Sequence, residues 1–232
     1  MKVVEIFKSI EGEGLRTGLP VVFLRFHGCN LRCSYCDTKY SYEAGEYTNL
    51  SIQHVFESVA EYGLKSITIT GGEPLIQTDI HFLVAALLNN DYKVNIETNG
   101  SVDIEIFENQ LLPLLLNEFD LTNLLYTIDY KCNTSGMQHR MCANSFLYLK
   151  KSKFRSSYAV KFVVGSLEDL ETARQVINDY ELNNSQVFIS PVFGKIEPVD
   201  IVNYVLNHKC LHNCRVQVQL HKIIWNPNER GV

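Results

Sequence analysis

With 232 residues, 46% of them apolar and 20% charged, the chain has the composition of a folded globular domain, which excludes disordered and fibrous classes. Its 21 Lys and Arg against 26 Asp and Glu give a net charge of −5 with no basic block, which makes nucleic acid a poor partner. No apolar run approaches the ~18 residues of a membrane helix; Leu111–Leu116 is short and carries Pro113, so no membrane association is expected.

The start Met1-Lys2-Val3-Val4-Glu5 has neither an apolar leader nor a cleavage site and predicts an unprocessed, cytoplasmic chain. An N-terminal stretch around Val3–Phe7 precedes a strand over Val21–His27. Ile52, Val55, Phe56, Val59 and Ala60 keep the spacing of one helix face, with Ser51 placed to cap it and Gly63 to stop it. The pattern then predicts a strand at Ser66–Thr70, a helix at Ile80–Leu88 and a strand at Lys93–Glu97. A less regular helix follows over Ile104–Phe119, then a strand at Leu124–Tyr130; Cys132–Lys153 reads as a loop and one helix. Beyond it come a strand at Ala159–Val164, a helix from the Ser166 cap to about Tyr180 and a strand at Gln186–Ser190. A helix at Pro198–Leu206 and a closing strand at Arg215–His221 complete the chain. Such alternation predicts parallel strands joined by right-handed crossovers. The chain is short for a closed eight-unit barrel of about 250 residues. The expected fold is therefore α/β, a partial, open TIM-like βα barrel in one domain over residues 1–232, with a doubly wound sheet as competitor.

Seven cysteines, an odd number, do not suit a secreted disulfide scaffold. Three of them lie in Gly28-Cys29-Asn30-Leu31-Arg32-Cys33-Ser34-Tyr35-Cys36-Asp37-Thr38, spaced C-x3-C-x2-C after the strand at Val21–His27. Zinc wants a fourth ligand, for which only His27 and Asp37 are near, whereas a [4Fe–4S] cubane on three cysteines leaves one iron open. A zinc knuckle or free thiols remain the plainer alternative. Gly71-Gly72-Glu73-Pro74 follows the next strand. Paired glycines let a backbone approach a ligand and a carboxylate accepts bonds from an ammonium, although the run also suits a simple turn.

With both motifs in place, one βα unit apart, the chain resembles the radical S-adenosylmethionine (SAM) enzymes, whose pattern includes an aromatic residue, here Tyr35, before the third cysteine. The resemblance implies a [4Fe–4S] cluster on Cys29, Cys33 and Cys36, SAM on the open iron, and reductive cleavage of SAM to methionine and a 5′-deoxyadenosyl radical. Ile6–Gly14, Val22–Phe26, Cys36-Asp37-Thr38 and the end Gln217–Trp225 with Arg230-Gly231-Val232 further resemble the 7-carboxy-7-deazaguanine synthases, whereas Cys132–Ser157 matches poorly. That resemblance implies a carbon–nitrogen lyase converting 6-carboxy-5,6,7,8-tetrahydropterin to 7-carboxy-7-deazaguanine with loss of ammonia, on the route to queuosine and related 7-deazapurines. It implies SAM contacts at Tyr35, Cys36, Asp37, Gly72, Glu73, Asp129, Tyr130, Lys131, Ser190, Pro191, Val192 and Phe193, and Mg²⁺ at Thr38. Substrate contacts are implied at Ile10, Glu11, Gly12, Glu13, Thr70, Glu97 and the Val232 carboxylate. An electron donor such as flavodoxin and a homodimer are implied as well.

Period-two alternation puts Phe23, Arg25 and His27 on one strand face, aiming Arg25 at the rim that carries Cys29. An Arg fork suits a substrate carboxylate, or an ordinary salt bridge. The closing strand alternates Val216, Val218 and Leu220 against Gln217, Gln219 and His221, a polar row fit either for a pterin edge or for solvent. Glu13 and Glu97 are placed to read guanidine-like N–H groups. Two departures stand out: Glu11 replaces a Gln common among members, and Asp129-Tyr130-Lys131 replaces Ser-Pro-Lys, leaving Lys131 as the matching position. Cys132, Cys142, Cys210 and Cys214 could supply a second metal site, but cysteine also serves as a small buried hydrophobe. The rival functions are a glycyl-radical-enzyme activating protein, which gives no reason for the C-terminal motif, and a non-catalytic zinc-binding scaffold.

Overall fold

The computed structural model describes residues 1–43, 45, 47–151, 158–182, 186–226 and 229–232. Its strands are Lys2–Ile10 (β1), Pro20–Phe26 (β2), Thr48–Asn49 (β3), Ser66–Gly71 (β4), Lys93–Thr98 (β5), Leu124–Tyr130 (β6), Tyr158–Val164 (β7), Gln186–Pro191 (β8) and Arg215–Val216 (β9). They form one sheet in the order β3-β1-β2-β4-β5-β6-β7-β8-β9. From β2 to β9 every neighbouring pair is parallel, while β1 pairs antiparallel with β2 and with β3. The ends of the order, β3 and β9, do not pair, so the βα barrel is open as expected.

The helices are Ile52–Ala60 (α1), Ile80–Leu88 (α2), Ile104–Leu111 (α3), Ala143–Lys151 (α4), Leu167–Asp179 (α5), Pro198–Asn207 (α6) and His221–Ile224 (α7). Ser51 and Ser166 cap α1 and α5 through their hydroxyls, which accept the N–H groups of His54 and Asp169. Two expectations fail. The helix expected over Ile104–Phe119 stops at Leu111 because Pro113 lacks an N–H and enters a tight turn over Leu112–Leu114. The closing strand expected at Arg215–His221 pairs only at Arg215–Val216, after which the chain leaves the sheet and coils into α7. Within Cys132–Lys153 the structure has two short turns and α4; the end at Lys153 lies outside the described residues.

The two faces of the sheet divide the chemistry. Ile67, Ile69, Val94, Ile96, Tyr126, Ile128, Val160 and Phe162 point into the apolar core that the helices cover. The alternate residues, Thr68, Thr70, Asn95, Glu97, Thr127, Asp129 and Lys161, belong to the other face by the period of two. Cross-strand register sets Arg25 beside Thr70, Glu97 beside Thr127 and Asp129 beside Lys161. A parallel sheet covered on both faces ordinarily reads as a near-continuous apolar run. A polar row on one face of buried strands therefore marks a lined cavity.

Candidate active site

A cavity of about 860 Å³ takes in the upper part of that row together with the three-cysteine loop, the start of the β1–β2 connection and the C-terminal tail. Cys29, Cys33 and Cys36 all line it. The loop is held by its own main chain and its neighbours: Cys36 N donates to Cys33 O at 3.2 Å, Ser34 N to Ser135 O at 3.0 Å, and Leu31 is buried as an anchor. The Gly-Gly-Glu-Pro turn packs directly on this loop. A Cβ added at Gly72 would lie 2.6 Å from the Cys29 Cβ and overlap the Gly28 carbonyl, so no larger residue fits. Glu73 N donates to Gly28 O at 2.8 Å.

The Glu73 carboxylate corrects an expectation. It is fully buried and turned away from the cavity, with Oε1 accepting from Leu75 N at 3.0 Å and Thr98 Oγ1 at 2.9 Å, and Oε2 from Asn99 N at 2.6 Å. Burial pushes its pKa up to about 7 against those three donors. Glu73 thus braces the turn and does not line the cavity, whereas Gly72 does.

The thiols suit a cubane better than a single ion. No three His, Cys, Asp or Glu among the described residues are grouped tightly enough to hold one metal ion. Around a [4Fe–4S] cube each cysteine binds a different iron, so three sulfurs spread along one wall fit it. Burial raises the Cys29 and Cys33 thiols, so metal binding must supply the drive to deprotonate them. Cys132 is instead buried core, and Cys210 and Cys214 pack against it.

At the floor, charged groups come from separate segments of the chain. Lys161 Nζ donates to Glu13 Oε2 at 2.8 Å and pairs with Asp129 Oδ1 at 3.2 Å, while Lys131 Nζ reaches Asp129 Oδ2 at 2.5 Å. Burial alone would raise Asp129, but Lys131 and Lys161 outweigh it and hold the carboxylate below its ordinary range. Glu97 is raised by burial, against the attraction of Lys161. Glu11 Oε2 accepts from Thr68 Oγ1 and from Arg16 at 3.3 Å; burial, with Glu97 adding to it, pushes this carboxyl up to about 7. Glu13 Oε1 is buried with no hydrogen-bond partner among the described residues.

At the rim, Arg25 lines the cavity as expected, yet its Nε is already bound to Glu5 at 2.6 Å. Glu5 also accepts from Tyr40 Oη at 3.0 Å, and Arg230 stacks on the Tyr40 ring at 3.8 Å. The tail is further fixed by Leu220 N on Gly12 O at 3.2 Å and by the Lys222–Asp37 ion pair at 2.8 Å. A Cβ at Gly12 would fall 2.5 Å from His221 Nδ1, so this glycine admits the tail.

Of the expected residues, Ile10, Glu11, Gly12, Glu13, Arg25, Tyr35, Asp37, Thr38, Thr70, Gly72, Glu97, Asp129, Lys131, Val192, Phe193, Gln219, His221 and Val232 share the cavity with the cysteines. Tyr130, Ser190, Pro191 and Gln217 do not. Tyr130 packs on Phe146 and Phe162, and Ser190 and Pro191 are buried within β8. Gln217 spends its amide on Gly14 N at 2.8 Å and Thr17 Oγ1 at 2.6 Å, because the strand expected to aim it ends at Val216. Lys161, Asn99, Lys222 and Arg230 line the cavity unforeseen. Lys161 did leave a signal, as the one charge in the apolar strand Tyr158–Val164, where a buried Lys must be paired.

A family model for the Radical SAM superfamily matches residues 23–112. The chain is 44% identical over 234 residues to a 7-carboxy-7-deazaguanine synthase of Clostridium acetobutylicum, covering 100% of this chain and 99% of that one. It is 38% identical over 231 residues to a protein of the same name from Methanospirillum hungatei, covering 98% and 86%. Among solved structures, QueE from Escherichia coli has the same fold, with a TM-score of 0.70 at 21% identity over 95% of this chain and 94% of that one. Full-length identity at this level, on a chain whose three-cysteine loop and braced glycine turn face one cavity, places the protein in the 7-carboxy-7-deazaguanine synthase family of the radical SAM superfamily.

Proposed function

We propose that the chain is a carbon–nitrogen lyase that converts 6-carboxy-5,6,7,8-tetrahydropterin to 7-carboxy-7-deazaguanine with release of ammonia, in 7-deazapurine biosynthesis. The observation that carries this reading is the union, in one cavity, of a three-cysteine wall with a floor of paired carboxylates and lysines. Relatives of that name align over the whole chain, so an activating enzyme for a glycyl-radical protein and a zinc scaffold are not favoured.

Cys29, Cys33 and Cys36 would hold the [4Fe–4S] cluster, which would supply the electron for reductive cleavage of SAM. Beside it, Gly72 offers backbone at close range and Asp129 stays ionised between two lysines, an acceptor for ammonium or ribose hydroxyls. Val192 and Phe193 add an apolar wall. On the pterin side, the unpartnered Glu13 Oε1 suits the guanidine-like edge of the ring, with Glu97 as a second acceptor. Arg25, held by Glu5, presents a cation for the 6-carboxylate. Thr38 places a hydroxyl on the cavity wall, and Mg²⁺, which keeps most of its waters, needs few protein oxygens. The tail, seated on Gly12, Asp37 and Tyr40, covers the site and excludes water. An electron donor such as flavodoxin and a homodimeric assembly belong to this reading through the family.

The test is an anaerobic incubation with carboxytetrahydropterin, SAM and a reductant, followed by mass spectrometry. The expected result is 7-carboxy-7-deazaguanine and ammonia in equal amounts. Formation of 5′-deoxyadenosine without the deazaguanine would refute the substrate assignment.

A further inference from the structure

Asn99 follows β5 where that strand meets the cysteine loop, and its position is fixed on both sides. Its backbone N–H is bound to Glu73 Oε2 at 2.6 Å. Its side-chain orientation follows from Ser101. The Ser101 backbone N–H, which can only donate, lies 3.0 Å from one end of the Asn99 amide, and the Ser101 hydroxyl lies 2.6 Å from the same atom. That end must be the oxygen, so the other end is the NH₂ group. Its two protons meet two acceptors, Asn30 Oδ1 at 3.0 Å and Cys29 Sγ at 3.6 Å. Cys29 Sγ also receives the Leu31 backbone N–H at 3.4 Å. Among the described residues no amide donates to Cys33 or Cys36; Cys36 Sγ faces the Thr38 hydroxyl at 3.7 Å instead.

We propose that Asn99 tunes the cluster: its side-chain N–H on the Cys29 sulfur stabilises the reduced, more negative state and so raises the reduction potential. Reduction adds one electron that is shared by irons and sulfurs, and a fixed N–H dipole aimed at a ligating sulfur favours the added charge. Asn99 is only 8% exposed, so water does not readily replace the bond when it is removed. The inference rests on the cluster assignment and not on the identity of the pterin. Asn99 also holds the loop through Asn30, and the two roles separate by mutation, because Asn30→Ala removes the loop contact and keeps the N–H on Cys29.

The experiment is an anaerobic redox titration of the loaded full chain, followed by electron paramagnetic resonance, without SAM or pterin. Asn99→Ala should lower the potential, so that at a fixed potential the reduced-to-oxidised ratio falls about three-fold, the effect of one modest hydrogen bond. At about 59 mV per decade this is about 28 mV. Asn99→Asp, which sets an acceptor against the sulfur, should fall further. Asn30→Ala, which keeps the N–H on Cys29, should not shift the potential. An unchanged potential in Asn99→Ala overturns the proposal, as does an equal shift in Asn30→Ala. Should Asn99→Ala take up no cluster, Asn99→Asp decides, and an unshifted or raised potential there overturns it. A wild-type chain that binds no iron and sulfide refutes the cluster assignment itself.

Discussion

At the cluster end of the cavity the contacts are mostly neutral, running from main chain to main chain or from amide to sulfur between the cysteine loop and the turns that pack on it. At the floor they are ionic: Lys161 and Glu13, 148 positions apart, meet across the sheet, and Arg16 pairs with Glu11 within the β1–β2 connection and reaches Thr68 on β4. The contrast is one of function against folding. Neutral contacts around a metal loop shape chemistry at little cost to stability, whereas a buried ion pair is costly to break because its other half stays behind unpaired. Substitutions at the first end should therefore abolish the reaction with the fold intact, and substitutions at the second should lose both.

The largest effect falls on the thiols. Replacing Cys29, Cys33 or Cys36 singly by Ala should bring iron, sulfide and turnover to background while the far-ultraviolet circular dichroism stays unchanged; full iron in any of them breaks the assignment. Next comes Lys161→Met, which strands Glu13 and leaves Asp129 with Lys131 alone, in a site where Lys161 is 9% exposed. It should cost about 3–5 kcal/mol in denaturant unfolding. A loss under ~1 kcal/mol would mean that water reaches the floor and the contrast is weaker than drawn.

Deleting Glu229–Val232 removes the Arg230 stack on Tyr40 and the last wall residue. Stability should change by about 1 kcal/mol or less. The ratio of 5′-deoxyadenosine to product should rise as the site loosens, and an unchanged ratio would remove the tail from the reaction.

A pH dependence follows at Glu11. Its pKa is raised from 4.5 to about 7 in the folded chain, so between those values the folded state holds the extra proton. Its contribution to stability is then full below 4.5 and falls as pH rises towards 7. The stability difference between wild type and Glu11→Gln should shift against the wild type over that window. A difference independent of pH would show that Arg16 keeps the carboxylate ionised throughout.

The same contrast governs what was legible in the sequence. C-x3-C-x2-C, the glycine turn and the helix caps act over a few residues, so their chemistry shows in spacing; α2 and β6 even match their expected limits. Where tertiary packing decides, spacing misleads. Gln217 looked like a cavity residue because an assumed strand through His221 aimed it there, but β9 is two residues long and its amide is used on the β1–β2 connection. The motif around Glu73 suggests a ligand group, but its role as a brace depends on Thr98 and Asn99, 25 and 26 positions away. Lys161 is a single charge in an apolar strand pattern, and the tertiary register that sets it beside Asp129, with Glu13 from the β1–β2 connection, gives it its partners.

The most direct test of a single cavity holding pterin and SAM together is turnover of substrate deuterated at C6, with both product and recovered SAM analysed by mass spectrometry. A closed site that keeps the two reacting centres within near-attack distance predicts deuterium in recovered SAM and more product formed than SAM consumed. One SAM consumed per product, with no label returned, would contradict it.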